Sequence, residues 1–338
     1  MSCEAGTRTG CYIIAEMACS HEGNPELARR IIDGAGSAGA DAVQFQIWRL
    51  RDYIVPQHPD LEVGRKLELS QGVWTELASY VRDRFPGMQI IACVYESASA
   101  AFAVEIGVDA FKLHSSDLSN PQLVRLVAET GKRIDLSVGA STLTEIQTAL
   151  EWIAEKSNSQ VWLMYGYQNF PTPTEAVNLR YMMKLRELFE LPIGYQDHTD
   201  ADSEGAFWLP AAAVGLGVDI LEKHITHDRT LHGVDHEAAL NPAEFVRFVK
   251  MVRTIEGALG SAVPRPFSGE EVKYRKYAKK SLVAARDLSA GDLIMEQDLI
   301  PMRSDVLGLP PDQAGRLIGR ALTKSVAQFY VVREQDVK

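Results

Sequence analysis

Apolar and polar positions recur along this chain in one repeating order. Short apolar runs at residues 12–15, 41–47, 89–94, 110–113, 133–137, 161–164, 193–195 and 219–223 have the length of buried strands rather than of helices. Longer amphipathic stretches separate them. Asn24-Pro25-Glu26 opens a helix that runs through Ala40, Ser70 caps one that runs to Phe85, and others cover 97–106, the stretch from Pro121, 143–156 and 179–189, with apolar residues at helical spacing. The connection 48–69, with Pro56 and Pro59 and several charges, has no such period. Connections of that length are lids, binding loops or disordered segments. Eight strand–helix repeats in about 260 residues match a (β/α)8 TIM barrel. The rival doubly wound sheet would carry GxGxxG after the first strand, and none is present.

A barrel collects its chemistry at the C-terminal ends of its strands, and the polar residues fall there. Glu16 and His21 follow the first strand, Gln44 and Gln46 end the second, Glu96 follows the third, and Lys112, His114 and Ser115 end the fourth. Ser137 closes the fifth and residues 165–169 the sixth. His198 and His224 follow the last two, so neighbouring parallel strands would bring both imidazoles out at one end. The period of two then puts Glu222 with His224 and Gln196 with His198 on one face. A single histidine at a strand end is most often a packing residue. A matched pair with Glu16, Asp197 and Asp235 nearby suits a divalent metal of the zinc, manganese or iron type.

Composition narrows the class. The 338 residues are 46% hydrophobic, ample for a core, and no apolar run approaches the ~20 residues that span a bilayer. The N-terminus lacks a signal-peptide pattern, so a cytoplasmic enzyme is expected, with no membrane as partner. Cys3, Cys11, Cys19 and Cys93 have no CxxC spacing, which suggests reduced thiols. Cys19 and Cys93 fall near strand ends, where they could line the pocket. A formal net charge of -10 gives nucleic acid no basic stripe to bind.

The segments IIAEMACSHEG, AGADAVQFQ, FKLHSSD, DLSVGAST, NFPTP, GYQDHT, EKHIT and GVDH together resemble the sialic acid synthase family, which includes pseudaminic and legionaminic acid synthases. The resemblance implies condensation of phosphoenolpyruvate with an amino sugar to a nine-carbon 2-keto acid. It also implies a divalent cofactor: manganese first, with magnesium, cobalt or zinc as alternatives. His198 and His224 match the family's metal ligands, and Glu16 and Asp235 match acidic residues tied to water activation and to metal or sugar contacts. At the phosphoenolpyruvate positions Lys112 and Ser115 are kept. Gln44 stands where the family has Lys, Cys93 lies in Ala92-Cys93-Val94 where it has Ser-Thr-Pro, Gln196 replaces Ser and Gln168 replaces Asn. Losing charge-assisted bonds, about twice as strong as neutral ones, weakens the hold on a trianion. Lys223, Arg229, Arg49 and Arg51 are the cations placed to compensate.

Residues 1–262 therefore read as the catalytic barrel and 263–280 as a linker with Pro264, Pro266 and a basic stretch. Residues 281–338 resemble the antifreeze-like (SAF) domain of the same family, which lays an arginine, here Arg303, over the barrel of a partner subunit. The resemblance implies a homodimer with an exchanged lid, and a bare dimerisation module is the simpler reading. Three functions stay open: a synthase of this type acting on a sugar or other aldehyde and a three-carbon donor, a metal-dependent aldolase or lyase of the same fold that does not use phosphoenolpyruvate, and a non-catalytic binding protein. In the first, the metal polarises an aldehyde, Glu16 positions or deprotonates water, and Asp235 holds the sugar or a metal-bound ligand.

Overall fold

A computed structural model describes residues 10–338; Cys3 lies outside them. The chain divides into two compact units, one ending at Gly260 and one from Ser261 to Lys338. In the first, β1 (Tyr12–Glu16), β2 (Ala42–Ile47), β3 (Gln89–Val94), β4 (Ala110–Leu113), β5 (Arg133–Ser137), β6 (Val161–Tyr165), β7 (Ile193–Asp197) and β8 (Ile220–His224) close a barrel in chain order. All eight are parallel, and β1 closes on β8 with Glu16 opposite His224. Four strands run further than their apolar residues do, because ladder pairing involves only the backbone and continues into Glu16, Tyr165, Asp197 and His224.

The helices are α1 (Pro25–Ala38), α2 (Leu50–Tyr53), α3 (Leu61–Leu67), α4 (Gln71–Arg84), α5 (Ser97–Glu105), α6 (Pro121–Glu129), α7 (Leu143–Ala154), α8 (Leu179–Phe189), α9 (Gly205–Gly215) and α10 (Pro242–Leu259). Asn24, Ser70 and Asn120 accept backbone N–H bonds at the starts of α1, α4 and α6, satisfying donors that a helix start leaves open. The connection 48–69 holds α2 and α3 and is packed: Trp48, Leu50 and Leu67 bury together against Cys19 and Tyr95. Three aspartates that precede strands tie neighbouring strands at their entry ends. Asp41, Asp109 and Asp219 accept from the N–H groups of Ile13, Ile90 and Ile193 at 2.8, 2.8 and 2.9 Å.

Strand alternation sorts the side chains into two cores. Ile13, Val43, Phe45, Ile90, Phe111, Ile134, Leu163 and Leu221 face the helices, whereas Tyr12, Ile14, Ala42, Ile91, Ala110, Met164 and Ile220 form a separate cluster inside the barrel. At its floor Arg133 stacks 3.8 Å from the Trp162 ring centroid and pairs with Asp135 at 2.9 Å. A Cβ on Gly194 would lie 2.4 Å from Met164 Sδ, so any larger residue here has to displace the Met164 side chain. The apolar plug stands beneath the polar strand ends and bars water from below.

The second unit holds α11 (Gly269–Ala278) and an antiparallel pair, β9 (Lys280–Ala284) with β10 (Leu299–Arg303). Its own core gathers Leu282, Leu288, Ile294, Leu317, Leu322 and Val332. The stretch read as a linker, 263–280, thus contains a helix, started by a Ser268–Glu271 capping box. Among the described residues no helix is long and apolar enough to cross a membrane.

Candidate active site

At the C-terminal ends of the strands Lys112 stands at the centre of a buried polar layer. Its Nζ donates to Glu222 Oε1 at 2.5 Å and lies 3.6 Å from Glu16 Oε2, all three side chains being at most 5% exposed. Gln196 Nε2 donates to the same Glu222 oxygen at 3.1 Å and its Oε1 accepts from Ser137 Oγ at 2.9 Å. β8 supplies Glu222 and His224 two residues apart, and β7 supplies Gln196 followed by His198, so one face of each strand delivers both groups.

His198 Nδ1 lies 3.0 Å from the carbonyl oxygen of Tyr167. A carbonyl only accepts, so Nδ1 carries the proton and Nε2 keeps its lone pair, the tautomer that a metal ligand needs. The two imidazole rings are 5.1 Å apart, and Phe170 packs edge-on at 4.4 Å from His198. One ligand atom each from His198, Glu222 and His224 lie within 4.8 Å of one another. Glu222 Oε2 and His224 Nδ1 are buried without a hydrogen-bond partner. Two imidazoles and one carboxylate oxygen suit zinc, manganese, iron or cobalt, so the residues present fit a divalent ion.

Burial sets the proton states. It pushes His198 down to about 4 and His224 well below the ordinary imidazole value, with neighbouring positive charge adding to the effect on His224; both rings are neutral, as ligation requires. Burial lifts Glu16 to about 8, opposed by Lys112 and reinforced by Glu222. Asp235, in a left-handed turn at φ 66, is lifted by burial to about 6 against a hydrogen bond from the Cys19 backbone. Burial disfavours the Lys112 charge, yet Glu222 and Glu16 outweigh it and raise its pKa.

Of the residues singled out in the sequence, Glu16, Lys112, Gln168, Gln196, His198, His224 and Asp235 line one cavity of about 40 Å³. Glu222, Gln46, His114 and Phe170 share that lining. Glu222 was legible as an inward neighbour of His224, and the closeness of its carboxylate to both imidazoles emerges only from the distances. Phe170 carried no signal beyond its place in NFPTP. Gln44 and Cys93 are fully buried on the inner face, Gln44 in register with Glu16 and Cys93 with Lys112. Ser115 starts a 3-10 turn outside this lining. Arg303 is exposed on β10 of the second unit.

Two expectations are corrected. Asp197 is not a metal-side carboxylate: because Gln196 and His198 face inwards, Asp197 faces outwards and pairs with buried Lys223 at 2.8 Å, with Tyr195 donating to it at 3.0 Å. The proposed compensating cations are engaged elsewhere. Lys223 serves Asp197, Arg229 pairs with Asp202 and Glu244, Arg49 pairs with Asp52 at 2.8 Å, and Arg51 is 77% exposed.

Residues 31–264 match the NeuB family. The chain is 29% identical to the N,N'-diacetyllegionaminic acid synthase of Legionella pneumophila over 95% of its own length and 93% of that protein. It is likewise 29% identical to the N-acetylneuraminate-9-phosphate synthase of Mus musculus, over 98% and 94%. The crystal structure of N-acetylneuraminic acid synthetase from Leptospira borgpetersenii, in complex with citrate, superposes with a TM-score of 0.71 at 29% identity, covering 79% of this chain and 91% of that one.

The depressed pKa of His198 has a consequence for the metal-free protein. Below pH 6.5 the unfolded chain takes up a proton on this ring and the folded chain does not until about pH 4, so stability falls as pH drops through that window. Urea denaturation should show the wild type losing roughly 2–3 kcal/mol more than His198→Gln between pH 6.5 and 4.5. Parallel profiles would show that His198 is not held neutral.

Proposed function

The chain belongs to the NeuB family, whose relatives here are named synthases of nonulosonic acids, and we propose that it is a metal-dependent synthase joining a three-carbon donor to an amino sugar or other aldehyde, giving a 2-keto acid. The observation that carries this reading is the cradle of His198, Glu222 and His224 beside Lys112 and Glu16, placed at the C-terminal end of a barrel of that family.

A bound divalent ion, manganese by preference, would supply Lewis-acid polarisation of a carbonyl oxygen. The chain's own groups do the rest. The carbonyl of Tyr167 fixes the His198 ring and its tautomer. Lys112 holds Glu222 in place and offsets its charge, while Glu16 Oε2, buried 3.6 Å from Lys112 and without a hydrogen-bond partner, is positioned to exchange a proton with the reacting end of a substrate. Asp235 at the rim accepts a hydroxyl of the acceptor, and Phe170 shields the imidazoles from water. A second reading, a lyase of the same fold that does not use phosphoenolpyruvate, is favoured by the neutral amide of Gln44 where the resembled family has a lysine. Free Cys11, Cys19 and Cys93 suit a reducing, cytoplasmic setting.

The test is product formation followed by mass spectrometry, with N-acetylated amino sugars and either phosphoenolpyruvate or pyruvate. A nine-carbon 2-keto acid should form with Mn²⁺ and drop at least a hundredfold after chelation and in His198→Ala. Turnover indifferent to chelation would refute the metal's role.

Residues 281–338 are assigned as the antifreeze-like domain and the protein as a homodimer in which Arg303 serves the partner's barrel. Support comes from the near full-length match to the relatives and from Tyr274 and Tyr277 on α11, left 67% and 61% exposed. Light scattering should give twice the 37.4 kDa chain mass. A monomer at micromolar concentration that keeps full activity when truncated after Gly260 would contradict the assignment.

A further inference from the structure

The segment GVDH gives the cavity its Asp235, while the histidine that follows lies outside that lining. His236 is nevertheless wholly buried. Its Nε2 stands 3.1 Å from Thr226 Oγ1 and 3.6 Å from Glu22 Oε1, and the His227 ring packs edge-on at 5.8 Å. Both oxygens belong to well-anchored backbone. Thr226, fully buried two residues past His224, donates its N–H to the Leu240 carbonyl at 3.0 Å, and Leu240 donates to the His224 carbonyl at 2.9 Å. Glu22 lies in the turn after β1, its N–H bonded to the Cys19 carbonyl at 2.9 Å. The His236 ring therefore joins the loop after β8 to the loop after β1.

The ring holds a turn in an unfavourable conformation. His236 N–H closes it on the Gly233 carbonyl at 3.2 Å, and Asp235 takes its third position with φ 66 and ψ 5. Those angles belong to the third residue of a type II turn, a place that favours Gly or Asn and that aspartate fills at a cost. Rotating the peptide between Val234 and Asp235 would return Asp235 to negative φ, as in a type I turn, and re-aim its side chain. A Cβ on Gly233 would lie 2.8 Å from His236 Nε2 and closer still to Glu22 Oε1. The turn is thus seated directly on this pair.

Resting on the synthase reading, in which Asp235 accepts a hydroxyl of the acceptor, we propose that His236 is a positioning residue for acceptor binding: anchored by Thr226 and Glu22, it holds the turn 233–236 so that the Asp235 carboxylate faces the cavity. It touches neither substrate nor metal and acts through Asp235 alone.

Crystallography and steady-state kinetics of the full chain test this with His236→Ala, His236→Gln and Thr226→Val. In His236→Ala, Asp235 should revert to negative φ with its carboxylate out of the cavity. KM for the amino sugar should rise at least tenfold, while KM for the three-carbon donor and Mn²⁺ affinity by calorimetry stay within twofold of wild type. Adding His236→Ala to Asp235→Ala should change the sugar KM by less than a further twofold. His236→Gln, whose amide reaches the Thr226 hydroxyl, should stay within threefold of wild type. An Asp235 left in place in His236→Ala, or losses shared equally by sugar, donor and metal, overturn the proposal and leave His236 a packing residue. Thr226→Val, which removes the hydroxyl alone, decides if the alanine variant does not fold: the sugar KM should rise at least threefold, and an unchanged KM with Asp235 unmoved overturns the proposal. If no sugar reacts with the wild type, the synthase reading fails, and the crystal structures still decide whether His236 holds Asp235.

Discussion

The contact between Lys112 and Glu222 is the constraint on which the site depends. Neither charge is tolerable alone at the centre of a barrel, since an unpaired buried ion costs several kcal/mol, so each fixes the other's position. Lys112 comes from β4 and Glu222 from β8, strands on opposite sides of the ring, and their 2.5 Å contact spans the barrel. One oxygen of Glu222 is committed to Lys112 and Gln196. The other is left without a hydrogen-bond partner beside two neutral imidazoles, which turns a structural ion pair into one wall of the candidate metal cradle.

Layering protects that arrangement. Beneath it lies the apolar cluster around Ile14, Ile91 and Met164, with Arg133 stacked on Trp162 where β5 enters the barrel and paired with Asp135. Water therefore reaches the polar layer only from the strand C-termini. A second buried ion pair, Asp197 with Lys223, stands on the opposite face of the same two strands. It braces β7 against β8 from outside, and so fixes the spacing of the histidines that follow Gln196 and Glu222.

Much of this was readable in the chain because strand alternation is strict. The eight short apolar runs became eight barrel strands, and the two-residue spacings 196/198 and 222/224 put those side chains in the cavity. Strand ends were misjudged where polar residues stay in the ladder, as at Glu16 and His224. Asp197 was misassigned by proximity to His198, although the same alternation turns it outwards. The packed helices of the connection 48–69 lie in a stretch whose apolar residues, Trp48, Leu50 and Leu67, are too scattered to show a period. The partners of Lys112, Lys223 and Arg229 depend on side chains distant in sequence, which composition and spacing do not register.

The central claim is that His198, Glu222 and His224 hold one divalent ion. X-ray absorption spectroscopy on Zn²⁺-loaded protein reads it directly. The account predicts two imidazole nitrogens at about 2.0–2.1 Å with carboxylate oxygen completing the shell, and one imidazole fewer in His224→Ala. An all-oxygen shell, or a spectrum unchanged by that substitution, would contradict it.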